Sequence, residues 1–244
     1  MNQLRRMFAL DGEWCIVHVP SQPNGFGIML FGDKNHFVDE HTSFWGQNVG
    51  RRQILKQLTD AGYTVFYSNS YGNHWGSRRA VVLSKRLYHI VLKQEILNDQ
   101  VHVIAEGMGA LVALPFIKEM NDKVRSLALI NPCVDIYEHI NQEKEHKFFY
   151  KKLIKELQYA YEITEDDIDI LPYGQLEEFA LMKNPLKLWQ TSDRFTYDPN
   201  RQSRKLERIR TASELPTEMS YLLSEKRFSI APSILQFFSH NEEI

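Results

Sequence analysis

The sequence predicts an α/β fold: an eight-stranded, mostly parallel sheet with helices on both faces and one helical insertion. Three observations predict it. An Asp-Gly pair between two apolar runs opens the chain as a hairpin, because both positions of such a turn must tolerate positive φ. From about residue 47 onward, short apolar runs alternate with helix-periodic stretches through short connections, the pattern of a parallel sheet covered on both faces. A roughly 50-residue segment, 135–184, breaks that alternation with Glu, Lys and Tyr and no clear strand.

The elements follow in order. Leu4–Leu10 and Glu13–Val19 flank Asp11-Gly12, and a second turn at Pro23-Asn24-Gly25 leads into the strand Phe26–Phe31. These three strands are expected close together and partly antiparallel. A helix over Gln47–Ala61, with apolar Val49, Ile54, Leu55 and Leu58, ends at Gly62 before the strand Tyr63–Ser68. A helix over about Val81–Leu97 precedes the strand Val101–Ala105, and one over Met108–Met120 precedes Arg125–Ile130. The insertion carries an amphipathic helix near Lys144–Tyr161. The alternation then resumes with strand Pro185–Gln190, helix Asn200–Arg210, strand Glu218–Leu223 and helix Ala231–Phe238.

Composition narrows the function classes. At 244 residues the chain suits a single domain, read as 1–244 with 135–184 inserted in it. With 29 Lys+Arg against 31 Asp+Glu the net charge is −2, unlike the strongly basic domains that bind nucleic acid. The aromatic content (14 Phe, 11 Tyr, 4 Trp) excludes a disordered chain. Cys15 and Cys133 are too few for a disulfide scaffold, and Cys133 reads as a buried, inert thiol. No run approaches a membrane span, and the N-terminal apolar run is too short for a signal peptide, so a cytoplasmic protein is expected. No His/Cys/Asp/Glu group has metal-ligand spacing, and neither metal nor cofactor is expected.

The sharpest motif is the strand Val101–Ala105 running through Glu106-Gly107-Met108-Gly109 straight into the Ala/Leu-rich stretch Ala110–Ala113. It resembles the nucleophile elbow of the α/β-hydrolase superfamily, G-x-S-x-G, with Ala105 at the first Gly and Gly109 at the last. Such an elbow needs small residues where strand and helix cross, and its helix N-terminus offers N–H groups to an oxyanion. Its centre here is Gly107, which has no side chain to attack with. Other segments are similar to the family in order. Phe26–Gly32 resembles the strand that ends in His-Gly, with Phe31 in place of the His. Gly62–Val65 with Ser70–Ser77 and Leu129–Pro132 match further family segments, and Leu188–Asp193 resembles the seventh strand and the turn bearing the triad acid. The resemblance spans about Leu4 to Phe238. It implies an α/β-hydrolase-like sheet with a cap at 135–184, the triad acid at Asp193, and Arg227 where the family has its His. Arginine stays protonated and cannot serve as the base.

The resemblance therefore implies a catalytically degenerate member that binds an acyl, ester or carboxylate small molecule, or a protein partner. Phe31, Gly32, His36, His74, Trp75, Glu106, Gly107 and Met108 are the expected ligand-binding residues, with N–H donors at Met108 and in the loop after Phe31. The alternative is an ester or thioester hydrolase whose water is activated by Asp193 or by a loop histidine. Blander readings stand beside each. Asp193 pairs with Arg227 as a structural salt bridge. Glu106 supports the elbow, and His36 and His74 are pocket wall. The basic stripe Arg201, Arg204, Lys205, Arg208 is a solvated helix face. Trp45 and Trp75 wall an apolar pocket, which Tyr150, Tyr159 and Tyr161 close or simply pack.

Overall fold

A computed structural model of the chain describes residues 4–171, 176–191, 196–226 and 228–242, with only the backbone at 169, 170 and 224. Eight strands form one sheet: β1 (Leu4–Leu10), β2 (Glu13–Val19), β3 (Gly27–Phe31), β4 (Thr64–Ser68), β5 (Val101–Glu106), β6 (Val124–Ile130), β7 (Leu186–Thr191) and β8 (Thr217–Leu222). Their order across the sheet is β1-β2-β4-β3-β5-β6-β7-β8. The hairpin β1/β2 and the β2/β4 pair are antiparallel, and every other pair is parallel. Asp11 (φ 52°) and Gly12 (φ 81°) both take positive φ in the hairpin turn, as the Asp-Gly pair requires. β2 and β3 are not neighbours, since β4 lies between them.

The helices are α1 (Phe44–Gln47), α2 (Val49–Asp60), α3 (Arg78–Gln94), α4 (Ala110–Glu119), α5 (Ile136–Glu143), α6 (Lys147–Tyr161), α7 (Leu176–Ala180), α8 (Ser203–Ala212) and α9 (Ala231–His240). One face of the sheet packs against α3, α4, α7 and α8, through residues such as Leu87, Val91, Phe116, Phe179 and Leu206. The other packs against α2 and α9 through Ile54, Leu55, Leu58, Ile234 and Phe238. With both faces covered, β3 and β5 are buried along their whole length, which is why they read as continuous apolar runs.

Helix boundaries shift for local reasons. The elbow helix begins at Ala110, because residues 107–109 form a tighter 3-10 turn. The expected helix Lys144–Tyr161 begins at Lys147 and is preceded by α5, whose N-cap Asp135 accepts from Glu138 N at 3.1 Å. α5, α6 and α7 fall between β6 and β7. The inner faces of α5 and α6 share a third cluster with the elbow, in which Ile136, Ile140, Leu153 and Leu157 meet Trp75, Met108 and Cys133. No helix among the described residues is long and apolar enough to cross a membrane.

Candidate active-site crevice

The chain turns sharply where β5 meets the elbow. Gly107 sits at φ 52°, in the left-handed region that glycine enters at little cost. Gly109 lets the helix start press on β3: a Cβ there would lie 2.7 Å from the Phe31 carbonyl carbon and 2.8 Å from Gly32 O. This is the close strand–helix crossing that the sequence motif predicts.

The space above Gly107 is filled. A Cβ at position 107 would lie no more than 2.5 Å from each carboxylate oxygen of Asp33, which comes from the loop after β3. Asp33 Oδ1 accepts from the Met108 N–H at 2.8 Å, from the Tyr197 hydroxyl at 2.8 Å and from Lys34 N at 2.8 Å. The helix N-terminal N–H expected to face a ligand oxyanion is thus given to a carboxylate of the chain itself. Burial foremost, then the nearby Glu106 carboxylate, pushes the Asp33 carboxyl above its ordinary value, and the Met108 N–H, His36 and Tyr197 partly offset this. Burial and Asp33 push the Tyr197 phenol well up, so it stays a donor.

Glu106, the last residue of β5, turns toward α2. Its Oε2 accepts from Arg51 Nε at 2.8 Å and its Oε1 from Arg51 Nη2, a two-pronged pair. The guanidinium also lies 5.2 Å from the Phe44 ring centre and 5.6 Å from that of Phe228. Asn131, at φ 44° just past β6, joins β6 to β7 by accepting at Oδ1 from Thr191 N at 2.8 Å, Thr191 Oγ1 at 3.1 Å and Gln190 Nε2 at 3.0 Å. A crevice of about 320 Å³ opens between these groups. Asp33, Arg51 and Glu106 line one side, Asn131, Gln190 and Thr191 another, and Trp45, Tyr197 and Phe228 the walls. It lies at the carboxyl ends of the parallel strands, where open α/β sheets place ligands.

The expected site residues divide. Glu106 lines the crevice, and Gly107 lies beneath Asp33. Phe31 is core, 3% exposed and tilted on Phe116, because its side chain points to the α4 face rather than to the crevice. Gly32 has its Cβ side covered by His36, 2.7 Å from the His36 Cβ. Met108 keeps its side chain in the cluster beneath the insertion, and its N–H is the one Asp33 takes. Trp75, expected on a pocket wall with Trp45, is buried away from the crevice. Its indole N–H reaches Glu156 at 2.9 Å and its ring stacks on His139 at 5.4 Å.

The two loop histidines are spent on structure. His36 Nδ1 accepts from Asp33 N at 2.9 Å and from Trp45 Nε1 at 3.3 Å, and its ring stacks on Phe44 at 4.1 Å. His74 Nδ1 accepts from Gly76 N at 3.2 Å. Burial holds His36 near 4 and His74 near 3, with Arg51 adding to the effect on His36. Each ring is neutral with its lone pair at Nδ1 engaged and its proton on Nε2, which leaves no free base.

Asp193 and Arg227 lie outside the described residues, and so does their expected pairing. Cys133 is buried, its N–H bonded to Gly107 O at 2.9 Å, and burial raises its thiol further, which suits an inert role. The basic stripe is engaged internally: Lys205 pairs with Asp135 at 2.8 Å and Arg204 donates to Tyr221 at 2.9 Å. Tyr161 donates to Trp75 O at 2.8 Å and packs the insertion down. Among the described residues no His/Cys/Asp/Glu cluster has the geometry of a metal site.

Comparison with solved structures places the architecture. The chain superposes on Est1E from Butyrivibrio proteoclasticus with TM-score 0.64 at 8% identity, covering 96% of this chain and 99% of that one. Pyrococcus furiosus esterase Pf2001 matches with TM-score 0.66 at 10% identity, over 98% of this chain and 92% of that one. Pyrococcus horikoshii acylaminoacyl peptidase matches with TM-score 0.71 at 10% identity, over 98% of this chain and 41% of that one. No protein-family model and no curated protein matches the sequence. The chain has the α/β-hydrolase fold. In its crevice, Asp33 occupies the space that a side chain at position 107 would need.

Proposed function

We propose that this is a non-hydrolytic protein of the α/β-hydrolase fold that binds a small, donor-rich ligand in the crevice, a primary amine or a guanidine above all. One observation carries the reading: the Asp33 carboxylate covers Gly107 and holds the Met108 N–H. A tetrahedral oxyanion needs that donor free, and catalysis gains only from contacts stronger in the transition state than before it.

The same observation revises the expected ligand. An acyl or carboxylate group at the elbow meets the acceptor oxygens of Asp33, with the Glu106 carboxylate close behind them. Asp33 Oδ2 has no hydrogen-bond partner among the described residues and Arg51 is committed to Glu106, so the crevice presents acceptors. A water-activating alternative finds no support in His36 or His74, whose Nδ1 lone pairs are engaged.

The test has two arms. Wild type and Asp33→Ala are assayed against p-nitrophenyl esters of increasing acyl length, and neither is expected to turn over above background. Thermal shift is then read with a panel of primary amines, guanidines and carboxylates, and a rise in melting temperature is expected from the first two classes only. Ester turnover by the wild type, or stabilisation by carboxylates alone, overturns the proposal.

A further inference from the structure

We propose that the groove between the outer face of α6 and the loop after β4 binds an amphiphilic monoanion, a carboxylate head on an unbranched apolar tail. α6 buries Leu153, Ile154, Leu157 and Ala160 toward the protein. Its opposite face carries Phe148, Lys151, Lys152, Lys155 and Tyr159, which follow i, i+3, i+4, i+7 and i+11 and so form one stripe. Phe148 is 76% exposed and Tyr159 72% exposed, a large apolar area for a helix to leave in water. With Tyr71 from the facing loop this stripe lines a cavity of about 630 Å³. That volume is in the range of small-molecule sites.

The groove is held open by construction. The Arg79 guanidinium sits 4.7 Å from the Tyr71 ring centre and 5.1 Å from that of Tyr159. It also donates to Tyr159 O at 3.3 Å and pairs with Glu162 at 3.4 Å. A cation bridging the two rings sets them as fixed walls instead of letting them collapse together.

Charge then selects the ligand. Lys152 lies 3.8 Å from Glu156, whose other oxygen takes the Trp75 indole N–H at 2.9 Å. Lys151 and Lys155 have no carboxylate partner among the described residues, so the rim carries uncompensated positive charge on a chain whose net charge is −2. Aromatic walls beneath a lysine rim match a molecule with an apolar body and an anionic end. A simple anion leaves the aromatic walls uncovered, and a flat bilayer cannot enter a concave groove.

The experiment is calorimetric titration of the whole protein with octanoate, decanoate and dodecanoate below their micelle concentrations, at low and high salt. Saturable one-to-one binding is expected, tightening by about tenfold or more from octanoate to dodecanoate. It is expected to weaken as salt screens the lysines. Lys151→Ala/Lys155→Ala and Tyr159→Ala, all solvent-facing changes, should each weaken dodecanoate by at least about threefold. Dodecyl maltoside, with the same tail and a neutral head, should bind weakly. Co-sedimentation with phosphatidylglycerol vesicles separates a free amphiphile from a lipid surface. Absence of saturable binding, equal binding by Lys151→Ala/Lys155→Ala, or vesicle binding without dodecanoate binding each overturns the proposal. The outcome is independent of the crevice, since none of these residues lines it.

Discussion

Gly107 and Asp33 are two halves of one arrangement, and a double-mutant cycle measures it. Gly107→Ala places a Cβ within 2.5 Å of both Asp33 carboxylate oxygens, so Asp33 must leave. Two costs add. An L-residue held in the left-handed region at φ 52° costs roughly 1–2 kcal/mol. Expelling Asp33 removes a charge-assisted bond from the Met108 N–H, worth about 1.5–3 kcal/mol. The single change should therefore destabilise by about 2.5–5 kcal/mol. In Asp33→Ala/Gly107→Ala only the backbone strain adds to the loss of Asp33, because there is nothing left to expel. The coupling energy is then the expulsion cost, about 2 kcal/mol. Urea denaturation of the wild type, both single variants and the double variant at neutral pH reads it directly, provided the m-values agree. Additivity within about 0.5 kcal/mol would refute the contact.

Two further outcomes follow from the same physics. The Asp33 carboxyl is raised by burial and by Glu106, so the folded chain holds this proton to higher pH than the unfolded chain. The stability this group contributes is complete below the ordinary carboxyl range and is lost as pH rises through the folded value. Asp33→Asn keeps an oxygen acceptor and does not titrate, so it should gain on the wild type as pH rises above about 4 and converge with it in acid. A constant difference across that range speaks against a buried, titrating Asp33. Arg210, 1% exposed, donates to Thr217 Oγ1 at 2.8 Å and to the carbonyls of Ala180 (3.1 Å), Met182 (2.7 Å), Asn184 (2.9 Å) and Pro216 (2.9 Å). A lysine cannot span that fork, so Arg210→Lys should cost about 3 kcal/mol or more, on the order of 10 °C in Tm. A loss under about 1 kcal/mol would show that the fork is not holding α7 and the start of β8 together.

The parts legible in the sequence are those fixed by local physics or by burial on two sides. β3 and β5 read as strands because both faces are covered, and the hairpin read from Asp11-Gly12 because only such residues take both positive φ angles. The elbow read through its small residues. α5 carries a local start signal, Asp135 followed three residues later by Glu138. Asp33 had none. Its place is set by partners far along the chain, the Met108 N–H at 75 residues' separation and the Tyr197 hydroxyl at 164. Arg51 likewise meets Glu106 across 55 residues, and nothing near position 51 marks it. The sequence shows which loop carries Trp75, but its side chain turns to the insertion, where Glu156 offers an acceptor.

A hydrolase elbow separates two tasks: the backbone N–H groups wait for a charge, and the side chain at the turn creates it. Here the Asp33 carboxyl already takes the Met108 N–H, and the turn has no side chain. The two changes are sterically matched, since a Cβ at 107 and the Asp33 carboxylate cannot share the space. A serine at 107 would therefore have to displace Asp33 before its hydroxyl could reach a substrate. The freed carboxylate would still face Glu106 in the same crevice, raising the cost of any anionic intermediate formed there. On the proposed non-hydrolytic reading, the bare turn at Gly107 and the occupied Met108 N–H thus reinforce one another. Because Asp33 arrives from the loop after β3 and not from the elbow, this state is held by the tertiary structure and is not undone by changing position 107 alone.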